Sequence, residues 1–466
     1  MCFSPLAAQP LDTNSPGISS TQVHGPEIRA ALFPPGTPLF PKAQAVLNYL
    51  HAFAEVHNLR KYITCGVRIV AVHPVCILEE VPQEKASSGC RWRVTLSTGV
   101  TRVFDHLIIA TGRYRHPFVP RALLETDTLQ RRLRDGSALH AAWFRNPAQS
   151  GLIGKRVLLL GGGPSGMDIC SECAADGVCE RIWWAAARLS VDPGSLPEHV
   201  SVRSRVVAWE DVSRPLLKVM WNDGTTEKLD VDVIILATGY QLRYPFLSED
   251  TISVREDPSG IFPFASDGSS LTVQSYTEKL SHTSQAVLPL VQHVLPLDLF
   301  PSPTLAVIGL TWRVAPFPIF EAQARFAIRI FDLWREGGGA PLDLDAERSR
   351  LSTRYSILAE RGGSVHAERA WHSLEDGSPE DQQFAYRRHL IRIALDREDT
   401  QLEQEIHWAE EMYDAKVVLR KAWHAVEALG DGEVRQWLDG VGEGDRETAM
   451  KSWMGMIHRL LGRSSS

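Results

Sequence analysis

Several features that would have announced a function are scarce or missing in this chain. Of 466 residues only 7 are cysteine, an odd number scattered over Cys2, Cys65, Cys76, Cys90, Cys170, Cys173 and Cys179. That spacing is no disulfide framework and points to a reducing compartment. Nowhere do about 18 apolar residues run together, and the N-terminal MCFSPLAAQPLDTNSPGISS has no basic stretch leading into an apolar one. A cytoplasmic protein with no membrane span is expected. Neither sign of charge prevails: 49 Lys and Arg stand against 56 Asp and Glu, a net charge of −7 with the signs interspersed. No field gathers nucleic acid or anionic lipid, so small molecules are the expected partners. H-E-x-x-H, paired Cys/His zinc spacings and a G-x-S-x-G elbow are all missing, which leaves metal-dependent and serine hydrolysis unsupported and no metal ligands to name.

What is present is VLLLGGGPSGMDIC, residues 157–170. Gly161-x-Gly163-x-x-Gly166 follows a Val/Leu run short enough for a buried parallel strand and, with Pro164 and Ser165, opens a helical pattern. In that context the first glycine permits a tight turn, the second lets the backbone approach a pyrophosphate, and the third brings helix against strand. Arg181–Ala187 reads as the next strand. It runs into Arg188 with no acidic residue in it, which favours the 2′-phosphate of NADP over the 2′-hydroxyl of NAD. Asp168, near the helix start, reads as a capping or pairing residue. Cys170 and Cys173 lie about one helical turn apart after the loop and read as packing residues rather than a redox pair.

A longer pattern occurs twice. RWRVTLSTGVTRVFDHLIIATGRY (91–114) and LKVMWNDGTTEKLDVDVIILATGYQ (217–241) share strand, Gly turn, strand, Asp, an apolar run and Ala-Thr-Gly. Around these, Ala43–Asn58 spaces Val46, Leu47, Leu50, Phe53 and Ala54 as an amphipathic helix, and 121–154 reads as a polar, turn-rich linker. TLAVIGL (304–310) reads as another buried strand, and a helix is expected from about Phe320 to Trp334. Beyond the GGGAP boundary (337–341), 381–429 and 447–461 look helical.

These residues resemble the flavin-containing monooxygenases from about Leu32 to Ile330. The resemblance rests on FPPGTPLFP (33–41), ATGRYRHPFVP (110–120), Gly136-x3-His140-x3-Phe144, GGGPSGMDI, LATGY (236–240) and IGLTWRVAPFPIFEAQAR (308–325). Arg134 stands where the family's G-x3-H-x3-F element expects Phe, and Phe144 where a Baeyer–Villiger relative would carry Trp. The resemblance implies an α/β chain of two Rossmann-like dinucleotide-binding domains, the FAD domain incomplete, plus a C-terminal helical extension. The domains fall at 1–125 with 241–335 (FAD), 126–240 (NADPH) and 336–466 (helical). No glycine motif precedes residue 161, so the chain is expected to be an N-terminally truncated member whose first strand, loop and helix are missing.

The chemistry implied is NADPH- and FAD-dependent oxygenation, in which a flavin hydroperoxide transfers one atom of O2 to an amine nitrogen or a thiol or thioether sulfur. By resemblance Asn14, in LDTNSP, is the catalytic candidate, or else a turn residue. The cofactor-binding candidates are Gly161, Gly163, Pro164, Ser165, Gly166, Arg188, Thr111, Gly112, Thr238, Gly239, His140 and Gln323. His140 reads equally as a structural hydrogen-bonder, and Gln323 as a polar helix face. A degenerate NADP(H)-binding protein without FAD, acting through its helical tail, is the alternative, and a Baeyer–Villiger-type oxygenase the second. A homo-oligomeric state is left open.

Overall fold

The computed structural model describes residues 37–76, 90–187, 192–254, 280–300, 303–336, 342–396 and 399–462. The chain divides into two units: an inserted one, Thr111–Tyr244, and an outer one built from the chain on both sides of it.

The inserted unit centres on a five-stranded parallel sheet in the order Ala138–His140, Val233–Leu236, Arg156–Leu160, Arg181–Ala185, Val200–Arg203. The central strands are runs of Val, Ile and Leu because both faces are covered: all four residues of Val233–Leu236 and the last four of Arg156–Leu160 are buried. Helix Pro164–Cys173 packs one face through Ile169, Cys170 and Cys173. The other face is covered by Leu123, Leu129 and an antiparallel sheet, Val206–Ser213, Leu216–Trp221 and Thr226–Asp230, which contributes Trp209, Leu217, Val219 and Trp221. Leu216–Trp221 alternates buried and exposed positions, as a strand covered on one side must.

Residues 121–154 are not the linker their polarity suggested. They hold helices Arg121–Leu124 and Asp127–Arg134 and the outer parallel strand Ala138–His140. Thr126 caps the second helix, its hydroxyl oxygen accepting from the Leu129 N–H and from the Trp209 indole. The charged helix DTLQRRLR is anchored by burying one of its arginines. Arg132 is 1% exposed and donates to Asp211 at 2.9 Å and to the Val231 carbonyl at 3.1 Å.

The outer unit holds the shorter counterpart of this sheet. Leu305–Val307 pairs in parallel with Leu107–Ile109, and an antiparallel sheet of Ile69–Cys76, Cys90–Leu96 and Thr101–Phe104 precedes it in the chain. Trp92 is buried there, its indole N–H donating to the Thr304 carbonyl at 3.0 Å. Helix Pro316–Arg335 buries Ile319, Ala322, Gln323, Phe326, Ala327 and Ile330, a stripe at helical spacing, against Leu351, Leu358, Tyr386 and Leu390. The helical extension runs through Leu344–Glu360, Gly363–Ala370, Gln383–Leu395, Thr400–Asp414, Lys416–Ala428, Asp431–Leu438 and Arg446–Leu460. The helical pattern expected over 381–429 is broken where Asp396 takes a left-handed conformation (φ +53°) and Asp399 caps the next helix. Helix Ala43–Val56 lies where expected but buries Tyr49, stacked on Phe317, while Leu47 and Leu50 of its anticipated apolar stripe are exposed.

Candidate dinucleotide site

The glycine loop leaves the carboxyl end of Arg156–Leu160 and enters helix Pro164–Cys173, whose N-cap is Gly163 and whose first residue is Pro164. The three glycines of the G-x-G-x-x-G spacing, 161, 163 and 166, stand in different surroundings. At Gly161 the backbone takes φ +116°, and a Cβ would lie 2.1 Å from the Ala237 carbonyl oxygen. At Gly166 a Cβ would lie 2.1 Å from the carbonyl oxygen of Gly161. At Gly163 it would meet nothing within 4 Å. The first and third glycines are therefore demanded by the packing of loop, helix and neighbouring strand. The middle one has an ordinary φ of −76° and open space above it. Open space over the middle glycine, beside a helix start with no side-chain cap, is what a pyrophosphate needs.

The loop is held from behind. Gly161 donates its N–H to Ala185 at 2.8 Å, and its carbonyl accepts the Trp184 indole N–H at 2.8 Å. Trp184, 1% exposed, and Ala237 were not among the expected site residues. Ala237 could have been found from the small residue repeated in each Ala-Thr-Gly triplet, whereas nothing local marks Trp184.

Three expected residues gather at the carboxyl ends of the adjoining strands. His140 ends the outer strand, in register with Leu236, and Leu236 is in turn opposite Leu160. His140 is 1% exposed, its Nδ1 accepts the Ala142 N–H at 3.1 Å, and its ring lies edge-on to Tyr240. Burial pushes its pKa below the ordinary histidine value, opposed by the backbone of Gly239 and Phe118. The Thr238 hydroxyl donates to the Phe118 carbonyl, and Gly239, at φ +94°, accepts the Phe118 N–H at 2.9 Å. Ser165 is half-buried in the first helical turn, and Asp168 is exposed. Cys170 and Cys173 are buried in the core, and burial raises the Cys170 thiol to about 11, so neither is a poised thiolate.

The other expected residues do not join this group. Thr111 and Gly112 are exposed in the irregular segment after Leu107–Ile109, Gly112 at φ +68°. Gln323 belongs to the outer unit and is neither exposed nor a polar helix face. It is 0% exposed, accepts the Gly309 N–H at 3.1 Å and donates to the Tyr386 hydroxyl at 3.0 Å. Asn14 and Arg188 lie outside the described residues.

The inserted unit thus has a cradle that fits a dinucleotide diphosphate. In the outer unit the described residues provide two parallel strands and a following helix, but no strand, glycine loop and helix to cradle the diphosphate of FAD.

The family model for flavin-binding monooxygenase-like proteins matches residues 31–183 and 193–273, half of the chain. The chain belongs to this family. Membership carries the family's cofactor pair, FAD and NADPH. Among curated flavin monooxygenases, the chain is 26% identical over 298 residues to Flavin-containing monooxygenase FMO GS-OX-like 9 of Arabidopsis thaliana, covering 62% of this chain and 54% of that protein. It is 25% identical over 364 residues to Flavin-containing monooxygenase 2 of Homo sapiens, covering 64% and 60%. The chain therefore spans a little over half the length of the curated flavin monooxygenases it matches. In fold it is similar to the S-allyl-L-cysteine S-oxygenase from Allium sativum, with a TM-score of 0.57 at 18% identity over 96% of this chain and 90% of that one. Among the described residues no helix is long and apolar enough to cross a membrane.

Proposed function

We propose that the chain is an NADPH- and FAD-dependent monooxygenase that transfers one atom of O2 to a soft nucleophile, an amine nitrogen or a thiol or thioether sulfur. The observation that carries this reading is the glycine loop, closed by packing at Gly161 and Gly166 and open at Gly163, in a chain of the flavin-binding monooxygenase-like family. Gly161 to Gly166 would hold the NADPH diphosphate through backbone N–H groups at the helix start. His140, Thr238 and Gly239 would form the neighbouring wall at the carboxyl ends of the adjoining strands. His140, kept neutral by burial, would add no charge there. Arg188 would face the 2′-phosphate and Asn14 the reacting rings. Flavin, when bound, would supply the redox chemistry that takes electrons from NADPH and activates O2. The protein's own contribution is placement and the exclusion of water, and a Ser-His-Asp-type triad is not called for.

A second reading is favoured by the lack of an FAD cradle among the described residues: an NADP(H)-binding protein without flavin. The visible spectrum of the purified chain separates the two. A flavin band, with NADPH consumed in the presence of a tertiary amine or thioether and one oxygen added to it, supports the oxygenase. A colourless protein that still binds NADPH supports the second reading. Arg188→Ala should weaken NADPH far more than NADH, and equal effects would remove Arg188 from the 2′-phosphate.

A further inference from the structure

The loop from Ile308 to Ala315 leaves the carboxyl end of Leu305–Val307 and enters helix Pro316–Arg335. It holds two left-handed residues, Gly309 (φ +86°) and Arg313 (φ +57°), and Arg313 is not a glycine, so the loop needs outside support to keep its shape. That support comes from Gln323 of the following helix and from one short stretch of the helical extension, residues 371–386. The Gly309 N–H is held by Gln323, whose amide donates to Tyr386 at 3.0 Å, and the Tyr386 hydroxyl in turn donates to the Gln292 carbonyl at 2.6 Å. The Trp312 N–H donates to the His372 carbonyl at 3.0 Å, with Trp312 bridged in parallel to Ser373. Arg313 pairs with Asp376 at 3.2 Å. The Ala315 N–H, at the helix entry, donates to the Gln383 side-chain oxygen at 2.9 Å.

The stretch is itself fixed. Arg354, 1% exposed, donates to Asp381 and to the carbonyls of Trp371 and Ser373 at 2.9, 2.9 and 2.7 Å. His372 takes the Val287 N–H on Nε2, so its proton lies on Nδ1 and is donated to His293 at 3.1 Å.

In open α/β sheets ligands lie beyond the carboxyl ends of the parallel strands. The loop occupies that place on the outer unit's parallel pair. We propose that Tyr386 and Gln383 are positioning residues: through them the helical extension sets the shape of loop 308–315, which forms a wall of the flavin-binding half. This rests on the oxygenase reading above, and it makes the extension part of the cofactor machinery rather than an appendage.

The test uses the full chain and two readouts, backbone amide exchange of 308–315 and FAD affinity followed by flavin fluorescence. Gln383→Leu removes the acceptor for Ala315, and Gln383→Glu keeps an oxygen there. Tyr386→Phe removes the hydroxyl that closes the Gln323 chain. Gln383→Leu, which loses one hydrogen bond, and Tyr386→Phe, which loses two, should each speed exchange in 308–315 and weaken FAD by at least about tenfold. Gln383→Glu should restore both. Exchange unchanged in both variants overturns the clamp, with no dependence on flavin. Faster exchange with unchanged FAD affinity overturns its reach to the cofactor. If the unaltered chain binds no FAD, the oxygenase reading fails and the cofactor role with it, while the exchange readout still decides the clamp. Should Tyr386→Phe not fold, the Leu and Glu pair at 383 decides alone.

Discussion

The repeated module folds twice and ends differently. In the inserted unit its strand Val233–Leu236 lies between two parallel neighbours and is buried throughout. In the outer unit the equivalent strand Leu107–Ile109 has one parallel neighbour among the described residues. Ile108 is 40% exposed, whereas its counterpart Ile235 is 0% exposed. The hairpin strand before it diverges in the same way, with Val103 and Phe104 exposed and Leu229 buried. Near-identical apolar runs can thus be core in one place and surface in another. What decides is whether a second strand, with its glycine loop and helix, lies alongside.

The largest effect expected from breaking this contrast is at the loop. Gly161→Ala forces a Cβ onto the Ala237 carbonyl at a left-handed φ. It should cost the inserted unit about 4 kcal/mol, read as a lost or greatly lowered first transition in urea. Next comes the matched pair Ile235→Ala and Ile108→Ala. The first should cost about 3 kcal/mol by leaving a cavity, the second less than about 1 kcal/mol because Ile108 already faces solvent. Equal costs in denaturant titrations would mean that Ile108 is covered in solution.

Gly163→Ala should leave the urea midpoint unchanged, since its Cβ meets nothing, yet weaken NADPH about thirtyfold by filling the space for the diphosphate. Titration calorimetry on the folded variant checks this, and undiminished binding would move the diphosphate elsewhere. The smallest effect is electrostatic. Asp232 is held by Arg156 at 2.9 Å, which keeps its carboxyl below the ordinary aspartate range. That contribution is present above the ordinary value of about 3.9 and is lost as pH falls through the depressed one. Asp232→Asn should therefore flatten the acid limb of the stability curve. At the counterpart Asp105, in an exposed pair with Arg91, the change to Asn should cost no more than about 0.5 kcal/mol of stability, read from urea titration.

Much of the inserted unit was legible because its signals are local: glycine spacing, a Val/Leu run, an Asn-Asp-Gly turn and the Ala-Thr-Gly triplet. Residues 121–154 were misread because their stabilising contacts are polar and distant. Arg132 looks like surface until Asp211, brought in by the folded hairpin, is seen beside it. The strand Ala138–His140 has only three residues, too few for any period to appear. The role of Gln323 was equally hidden, because its partner Tyr386 is 63 residues away in the chain. The helices of the extension were visible as a pattern, but their breaks at Asp396 and Ala415 depend on backbone conformation and caps that composition does not record.

The approach of Ala237 to the glycine loop has a consequence for divergence within this fold. Positions 161, 166 and 237 share one small volume, with the backbone oxygens of 237 and 161 already standing where side-chain carbons would go. Those oxygens belong to the main chain whatever side chain position 237 carries, so no exchange there makes room at 161 or 166, and both positions should stay glycine while the loop keeps this shape. A loop transplanted into another sheet would have to find a neighbouring main chain at the same close approach.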